Sequence, residues 1–202
     1  MDLCEKKITD YKDGIDRMIY DTGASYFDFL FGNNANALEI IKKFFLRKSN
    51  LFSYNNCTGY FNEDDTLVGI EHGYSHRDYP RLLLNTLKEG FNIFNVLVFI
   101  VTFTRAMVVA IITPSIPKKT YYIAYFSVNP LMRGRGIGAI MLTKTLSRLK
   151  VEGYNYCELD VESDNISAIK LYQSCGLIII RNAVPKRKLF GMKSRYRMRV
   201  TL

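Results

Sequence analysis

A loop rich in glycine and arginine lies between a predicted strand and a predicted helix in the second half of the chain. Its sequence, SVNPLMRGRGIGAIML, occupies residues 127–142 of 202. Glycine lets the backbone approach a ligand closely, and the unpaired N–H groups at the start of a helix attract phosphate oxygens. Arg133 and Arg135 add donors that suit a pyrophosphate. The loop therefore predicts a ligand that carries phosphates, with a solvated basic turn as the alternative.

Two common nucleotide-binding loops fit this stretch less well. A P-loop requires Gly-Lys followed by Ser or Thr, whereas Ala139 and Ile140 follow Gly138. The dinucleotide fingerprint G-x-G-x-x-A fits Gly134, Gly136 and Ala139. The intervening NPLMR, however, separates the strand from the glycines, and too few strands follow for a doubly wound dinucleotide fold. The sequence thus favours a phosphate-bearing cofactor without a nicotinamide.

The order of the predicted elements indicates a mixed α and β protein. A short strand near residues 3–8, helices near 13–20 and 36–48, and a hairpin over 51–76 come first. From residue 121 the pattern becomes strand, helix, strand, helix, strand, which implies parallel strands.

An apolar segment, residues 91–112, interrupts this pattern within a predicted insertion over residues 77–116 that could shape a pocket. The segment approaches the length of a membrane span, but Asn92, Asn95 and Arg105 count against one. We expect a buried helix or a pair of strands, in the core or at an interface. A homodimer and a membrane-associated acyltransferase stay open as alternatives.

Composition and charge restrict the class of protein further. A hydrophobic fraction of 48% with 23% charged residues is typical of a globular protein rather than a disordered one. The formal net charge of +9 favours anionic ligands without choosing among cofactor phosphates, RNA and lipid head groups. The four cysteines lack metal-site or redox spacing, and the first ten residues lack a secretory signal, which together predict a cytoplasmic protein.

Two motifs resemble signatures of the Gcn5-related N-acetyltransferase (GNAT) superfamily. The glycine loop is similar to the pattern Arg/Gln-x-x-Gly-x-Gly/Ala, which binds acetyl-coenzyme A (acetyl-CoA) in that family. The stretch ESDNISAIKLYQSCGL resembles Asn-x-x-Ala-x-x-Leu-Tyr-x-x-x-Gly-Phe, with Leu177 in place of phenylalanine. The matching residues are Arg133, Gly136 and Gly138 in the first motif, and Asn165, Ala168, Leu171, Tyr172 and Gly176 in the second. Together the motifs cover about residues 121–180.

The resemblance implies an α/β (α+β) fold of the GNAT type over residues 1–202 as a single domain. In that fold a central mixed sheet, mostly antiparallel, is flanked by helices, and two parallel strands splay apart at the cofactor site. The backbone of Val128 and the side chain of Asn165 would then contact the pantetheine arm, with Tyr172 near the sulfur. The implied pyrophosphate cradle consists of Arg133, Gly134, Arg135, Gly136, Ile137, Gly138 and Ala139.

The resemblance also implies an activity, the transfer of an acetyl group from acetyl-CoA to a primary amine. The amine of a small molecule, peptide or protein N-terminus would attack the thioester directly in a ternary complex. Tyr172 is then the expected general acid, and Asp160 or Glu71, acting through water, the expected base. A tyrosine that only packs on the sheet, and carboxylates that are only solvated, are the alternatives. A non-catalytic module that binds acetyl-CoA or CoA would need the same loop.

The spacing of the two histidines does not indicate a metal site. His72 and His76 are four residues apart, but a strand or turn would not place them on one face, so no metal site is predicted.

Residues 193–199 alternate basic and apolar side chains, which predicts a strand with one cationic face. We expect an edge strand protected by charge. Contact with the cofactor's 3′-phosphate, an acidic acceptor or RNA is the alternative, although the aromatic pattern of a nucleic-acid platform is missing.

Overall fold

A seven-stranded sheet organises the protein, whose computed structural model describes residues 3–184 and 191–202. The strands are β1 (Cys4–Lys7), β2 (Cys57–Phe61), β3 (Leu67–Ser75), β4 (Thr120–Val128), β5 (Tyr156–Glu162), β6 (Ile178–Val184) and β7 (Arg195–Thr201). Their order in the sheet is β1-β2-β3-β4-β5-β7-β6. All neighbouring pairs are antiparallel except β4 and β5, which are parallel. The mixed, mostly antiparallel sheet that the family resemblance implies is confirmed.

Within residues 3–184 and 191–202, seven α-helices cover the two faces of this sheet. They are α1 (Ile15–Asp21), α2 (Ala24–Phe31), α3 (Asn34–Phe45), α4 (Tyr79–Ile93), α5 (Val96–Ile112), α6 (Ile137–Val151) and α7 (Ile166–Ser174). On one face, α1 to α3 bury an aromatic core against the strands from β2 to β4. On the other face, α6 and α7 enclose a second core that includes Leu142, Leu159 and Tyr172. The sheet therefore separates two cores.

The predicted elements of the first half are present with small shifts in their bounds. The helix predicted near residues 36–48 is α3, which begins two residues earlier because the Asn33 side chain accepts a hydrogen bond from the Asn36 N–H at 3.0 Å. The hairpin predicted over residues 51–76 is formed by β2 and β3. Helix α2, in contrast, is missing from the sequence prediction.

The apolar segment of residues 91–112 contains the end of α4 and the whole of α5. Asn95 divides the two helices: its side chain accepts a hydrogen bond from the Val98 N–H at 3.0 Å and so starts α5. The expectation of a segment buried in the core is wrong, because no residue of α5 is buried, whereas the interface stays a prediction. Leu97 and Ile111 are 76% and 78% exposed, while the opposite side packs on α2 and α4. Of the described helices, none combines the length and apolar character needed to cross a bilayer.

The basic strand β7 lies inside the sheet, so the prediction of an edge strand is wrong. It separates β5 from β6, and β6 forms the edge instead. β4 and β5 are the parallel pair. The alternation of strands and helices also implied that β5 pairs with β6, but these two strands do not pair, because β7 lies between them. The cationic face of β7 meets the acidic face of β5, since Glu158, Asp160 and Glu162 lie opposite Arg199, Arg197 and Arg195 in the register.

Arg197 is the centre of these cross-strand pairs. Its Nη1 donates to Glu158 Oε2 at 2.9 Å, and its Nη2 donates to Asp160 Oδ2 at 3.0 Å. The side chains of Arg197 and Glu158 are only 1% and 0% exposed. Such a buried network is satisfied only while every member keeps its partner.

We predict that Arg197→Met lowers the free energy of unfolding by about 3–5 kcal/mol, because two carboxylates lose their buried cation. Chemical denaturation followed by circular dichroism measures the loss. Arg181→Met is the control, because Arg181 is exposed on the neighbouring strand β6 and should change stability by about 0.5 kcal/mol at most. Equal losses in the two variants would contradict the assigned role of the network.

Candidate active site

A gap between β4 and β5 is the geometric centre of the site. The two strands pair only over residues 120–123 and 156–159, although β4 continues to Val128 and β5 to Glu162. A register shift on the other side of β4, between His72 and Gly73 of β3, bends the strand at the same level. Beyond Ile123 and Leu159, the facing backbone groups of the two strands are therefore free to bind a ligand.

A cavity of about 860 Å³ passes through this gap. On one side of the sheet it is lined by the glycine loop and by residues of α6 and α7. On the other side it is lined by residues of α2, α4 and α5 and by the segment that follows α5. We call the first part the loop half and the second part the helical half. One cavity thus provides two chemically different compartments that meet between β4 and β5.

The glycine loop presents its backbone to the loop half. Gly134 and Gly136 have φ angles of +78° and +75°, a conformation that strains other residues, and open space lies where their side chains would begin. Gly138 has a different role, because a Cβ there would lie 2.9 Å from Leu171 Cδ2, so glycine allows α6 to pack closely on α7. The loop is consequently shaped both for a ligand and for helix packing.

The start of α6 offers a row of hydrogen-bond donors. The N–H groups of residues 134–138 find no acceptor within the described parts of the chain, whereas the Ala139 N–H already donates to the Gly136 carbonyl at 3.1 Å. Arg133 lies beside this row, where its Nε donates to the Val128 carbonyl at 3.1 Å. Free N–H groups, a helix N-terminus and a guanidinium fit the phosphates of CoA.

Of the predicted cofactor residues, all except Arg135 line the cavity. Arg135 is exposed and does not line the cavity. Asn165 caps α7, since its side chain accepts a hydrogen bond from the Ala168 N–H at 3.2 Å. Tyr172 is largely buried and packs edge-on against Phe126, with 6.2 Å between ring centroids. Burial raises the pKa of the Tyr172 hydroxyl, which therefore stays protonated at neutral pH.

The two carboxylates predicted as bases lie on opposite faces of the sheet. Asp160 lines the cavity, where Arg197 and the Tyr122 hydroxyl hold it, the latter at 3.1 Å. Glu71 is buried on the α6 side and does not line the cavity; Arg148 donates to it at 2.7 Å and the Tyr121 hydroxyl at 2.9 Å. The structure therefore argues against Glu71 as the base, because its oxygens are used inside the core.

The rings of the two histidines contact different parts of the chain, so the two residues do not form a shared ligand site. The His72 ring lies against the Ser53 carbonyl at 3.1 Å, and the His76 ring against the Ile116 carbonyl at 2.6 Å. Burial lowers the pKa of His72 to about 4, so its imidazole is neutral. Among the described residues, no cluster of three histidine, cysteine or acidic side chains could hold a metal ion.

Comparison with known proteins agrees with the geometry. A model of the Acetyltransferase (GNAT) family matches residues 46–177, more than half of the chain. The protein belongs to the GNAT acetyltransferase family. No curated protein sequence matches it significantly.

Solved GNAT structures share the fold at low sequence identity. An N-acetyltransferase from Staphylococcus aureus Mu50 superposes with a TM-score of 0.64 at 18% identity, covering 92% of this chain and 93% of its own. A Bacillus subtilis acetyltransferase in complex with CoA gives 0.58 at 13% identity, with 100% and 99% covered. A chain of the NatC complex bound to Gag peptide and CoA gives 0.52 at 13% identity, with 100% and 99% covered.

Sequence reasoning missed the aromatic wall of the helical half in this GNAT protein. Five tyrosines line that part of the cavity: Tyr26, Tyr74, Tyr79, Tyr122 and Tyr125. Tyr74 packs between Tyr79 and Tyr122, with ring centroids 5.7 and 5.8 Å away. Strict alternation along β4 puts Tyr122 and Tyr125 on opposite faces, whereas the register shift brings both to the helical half. The sequence signal that could have indicated this wall was the high number of tyrosines in the segments that form it.

We predict that Gly136→Asp weakens CoA binding at least about 100-fold, because a carboxylate beside the phosphates adds like-charge repulsion of several kcal/mol. Isothermal titration with CoA measures the change. Gly153→Asp is a matched control: Gly153 has a φ of +82° and equally open surroundings, but lies beyond the other end of α6. Equal affinity in the two variants would contradict the loop assignment.

Proposed function

We propose that the protein is an N-acetyltransferase that moves the acetyl group of acetyl-CoA to a primary amine in a ternary complex. The observation that carries the proposal is the gap between β4 and β5, which joins a phosphate-binding half to an aromatic half of one cavity. A protein that only stored or sensed CoA would need the loop half alone. The presence of CoA in solved structures of the same fold supports the choice of cofactor.

The loop half is assigned to the cofactor. The N–H groups of residues 134–138 and the Arg133 guanidinium bind the pyrophosphate, and the free backbone of β4 near Val128 orients the pantetheine arm. Acetyl-CoA supplies an acetyl thioester when bound. In the transfer, an N–C bond forms, the C–S bond breaks, the amine loses a proton and the CoA sulfur gains one.

Tyr172 is the proposed general acid for the departing sulfur. It lines the loop half, and its hydroxyl makes no hydrogen bond within the described residues, so the proton is available to a ligand. Burial raises its pKa, so the hydroxyl keeps its proton and can donate a hydrogen bond to the sulfur as the C–S bond breaks. The packing on Phe126 fixes the direction of the ring.

The proton of the amine leaves toward the helical half. Asp160 lines the cavity there, but both of its carboxylate oxygens already accept hydrogen bonds from Arg197. The Tyr122 hydroxyl donates to Asp160 Oδ2 at 3.1 Å and lies in the cavity wall. We therefore assign Asp160 an indirect role in which it acts through Tyr122 rather than directly on the amine.

We predict that Tyr172→Phe lowers kcat about 100-fold or more, since general acid catalysis contributes on that order, and leaves the KM for acetyl-CoA nearly unchanged. Release of free thiol from acetyl-CoA in the presence of an amine panel measures both constants. Tyr154→Phe is the control, because Tyr154 packs on Tyr121 outside the cavity and should keep full turnover.

Unchanged turnover in Tyr172→Phe would remove the general-acid assignment. Tight CoA binding without thiol release from any amine would favour the alternative, a module that binds CoA without catalysis. Titration calorimetry and the thiol assay on the same preparation separate these two results.

A further inference from the structure

One cationic side chain that lines the helical half has no carboxylate partner among the described residues, whereas the carboxylates there all have cationic partners. Each carboxylate that lines it already has a cation: Arg197 binds Asp160, and Lys193 Nζ lies 3.2 Å from Glu162 Oε2. Asp21, at the rim of the cavity, pairs with Arg17 at 2.9 Å. The acidic groups that would attract a cationic acceptor are therefore neutralised.

Arg195 is the cation left over. It lines the cavity and is partly buried, yet no carboxylate of the described residues lies within ion-pair distance of its guanidinium. Its cross-strand neighbour Glu162 is engaged by Lys193 and by the Ser25 hydroxyl, at 3.1 Å from the latter. A guanidinium kept in a cavity without an anion has unused donors in a fork suited to a carboxylate.

The protein holds Arg195 in a defined position. The guanidinium lies over the Tyr26 ring, 5.0 Å from its centroid. A Cβ at Gly23 would be 2.6 Å from Arg195 Nη2, so glycine at the start of α2 leaves room for the guanidinium. Because packing rather than an ion pair fixes this side chain, its donors are oriented before any ligand arrives.

The position suits a group attached to the reacting amine. Arg195 is in register with Glu162, which is three residues, or about 10 Å, along β5 beyond the end of its pairing with β4. The guanidinium interacts electrostatically with the hydroxyls of Tyr122 and Tyr125, which lie on β4 on either side of the end of that pairing. A carboxylate bound by Arg195 thus leaves a neighbouring amine close to the gap.

Much of the remaining wall of the helical half is apolar. Its wall includes Phe27, Leu30, Leu83, Leu87, Phe99 and Phe103. An acceptor body that fills this space has to be hydrophobic, since a polar one would lose its hydrogen bonds with water. A flexible polyamine satisfies neither this wall nor the surplus cation.

We propose that the acceptor is a free amino acid with a large apolar side chain, whose carboxylate is bound by Arg195. This inference rests on the proposed function of the site. The side chain of the acceptor packs among α2, α4 and α5, its carboxylate pairs with the guanidinium, and its amine faces the gap between β4 and β5.

The test compares leucine, methionine, phenylalanine and tyrosine with their carboxamides, which differ only in lacking the negative charge. We expect thiol release with the acids to exceed that with the carboxamides at least about 10-fold in kcat/KM. Arg195→Gln should reduce kcat/KM for the acids about 10- to 100-fold, the contribution of a charge-assisted hydrogen bond, and leave the carboxamides unchanged. Binding of the same compounds to the CoA-loaded protein, measured by calorimetry, should show the same preference.

Three variants complete the design. Arg195→Lys keeps the charge and should retain part of the preference for the acids. Gly23→Ala displaces the guanidinium without removing charge, and its φ of −172° is open to alanine, so it should reproduce the selective loss. Arg181→Gln removes an exposed cation on β6 outside the cavity and should change nothing.

Two results would overturn the inference. One is equal binding and turnover of acids and carboxamides by the unmodified protein; the other is an equal loss for both in Arg195→Gln. The calorimetric comparison decides the inference even without turnover. Absence of thiol release with every amine, combined with binding of the acids that depends on Arg195, would refute only the proposed catalysis.

Discussion

The buried pairing of Arg197 with Glu158 and Asp160 is the interaction on which the site depends. It joins β7 to β5, the strand that forms one side of the gap. The same guanidinium reaches the Pro114 carbonyl at 3.3 Å, which ties the segment after α5 to the sheet. One cation therefore connects β7, the wall of the cavity and the segment after α5.

The separation of β4 and β5 beyond their short pairing creates the site. Strands that remained paired to their ends would satisfy their own backbone groups and close the passage between the two faces. The register shift in β3 and β4 and the short parallel pairing prevent this. The helices then give each face its chemistry, with free N–H groups at the start of α6 and aromatic rings around α2 and α4.

The two short sequence motifs predicted the parts of the site that are formed by continuous segments of the chain. The glycine loop and Asn165 were singled out from short motifs, and both line the cavity; the capping of α7 by the Asn165 side chain was not predicted. The position of β7 and the shared face of Tyr122 and Tyr125 depend on pairing between distant segments, which periodicity within one strand does not contain. The unpaired state of Arg195 was inaccessible for the same reason, since it depends on how Glu162 is shared.

The passage through the sheet has a kinetic consequence. The loop half and the helical half lie on opposite faces of the sheet, so a ligand in one half leaves the lining of the other half uncovered. A single molecule that filled both halves would instead be threaded between β4 and β5, and its escape would require one end to be drawn through the gap. Conjugates that join a nucleotide end to an apolar amine are thus expected to dissociate far more slowly than either part.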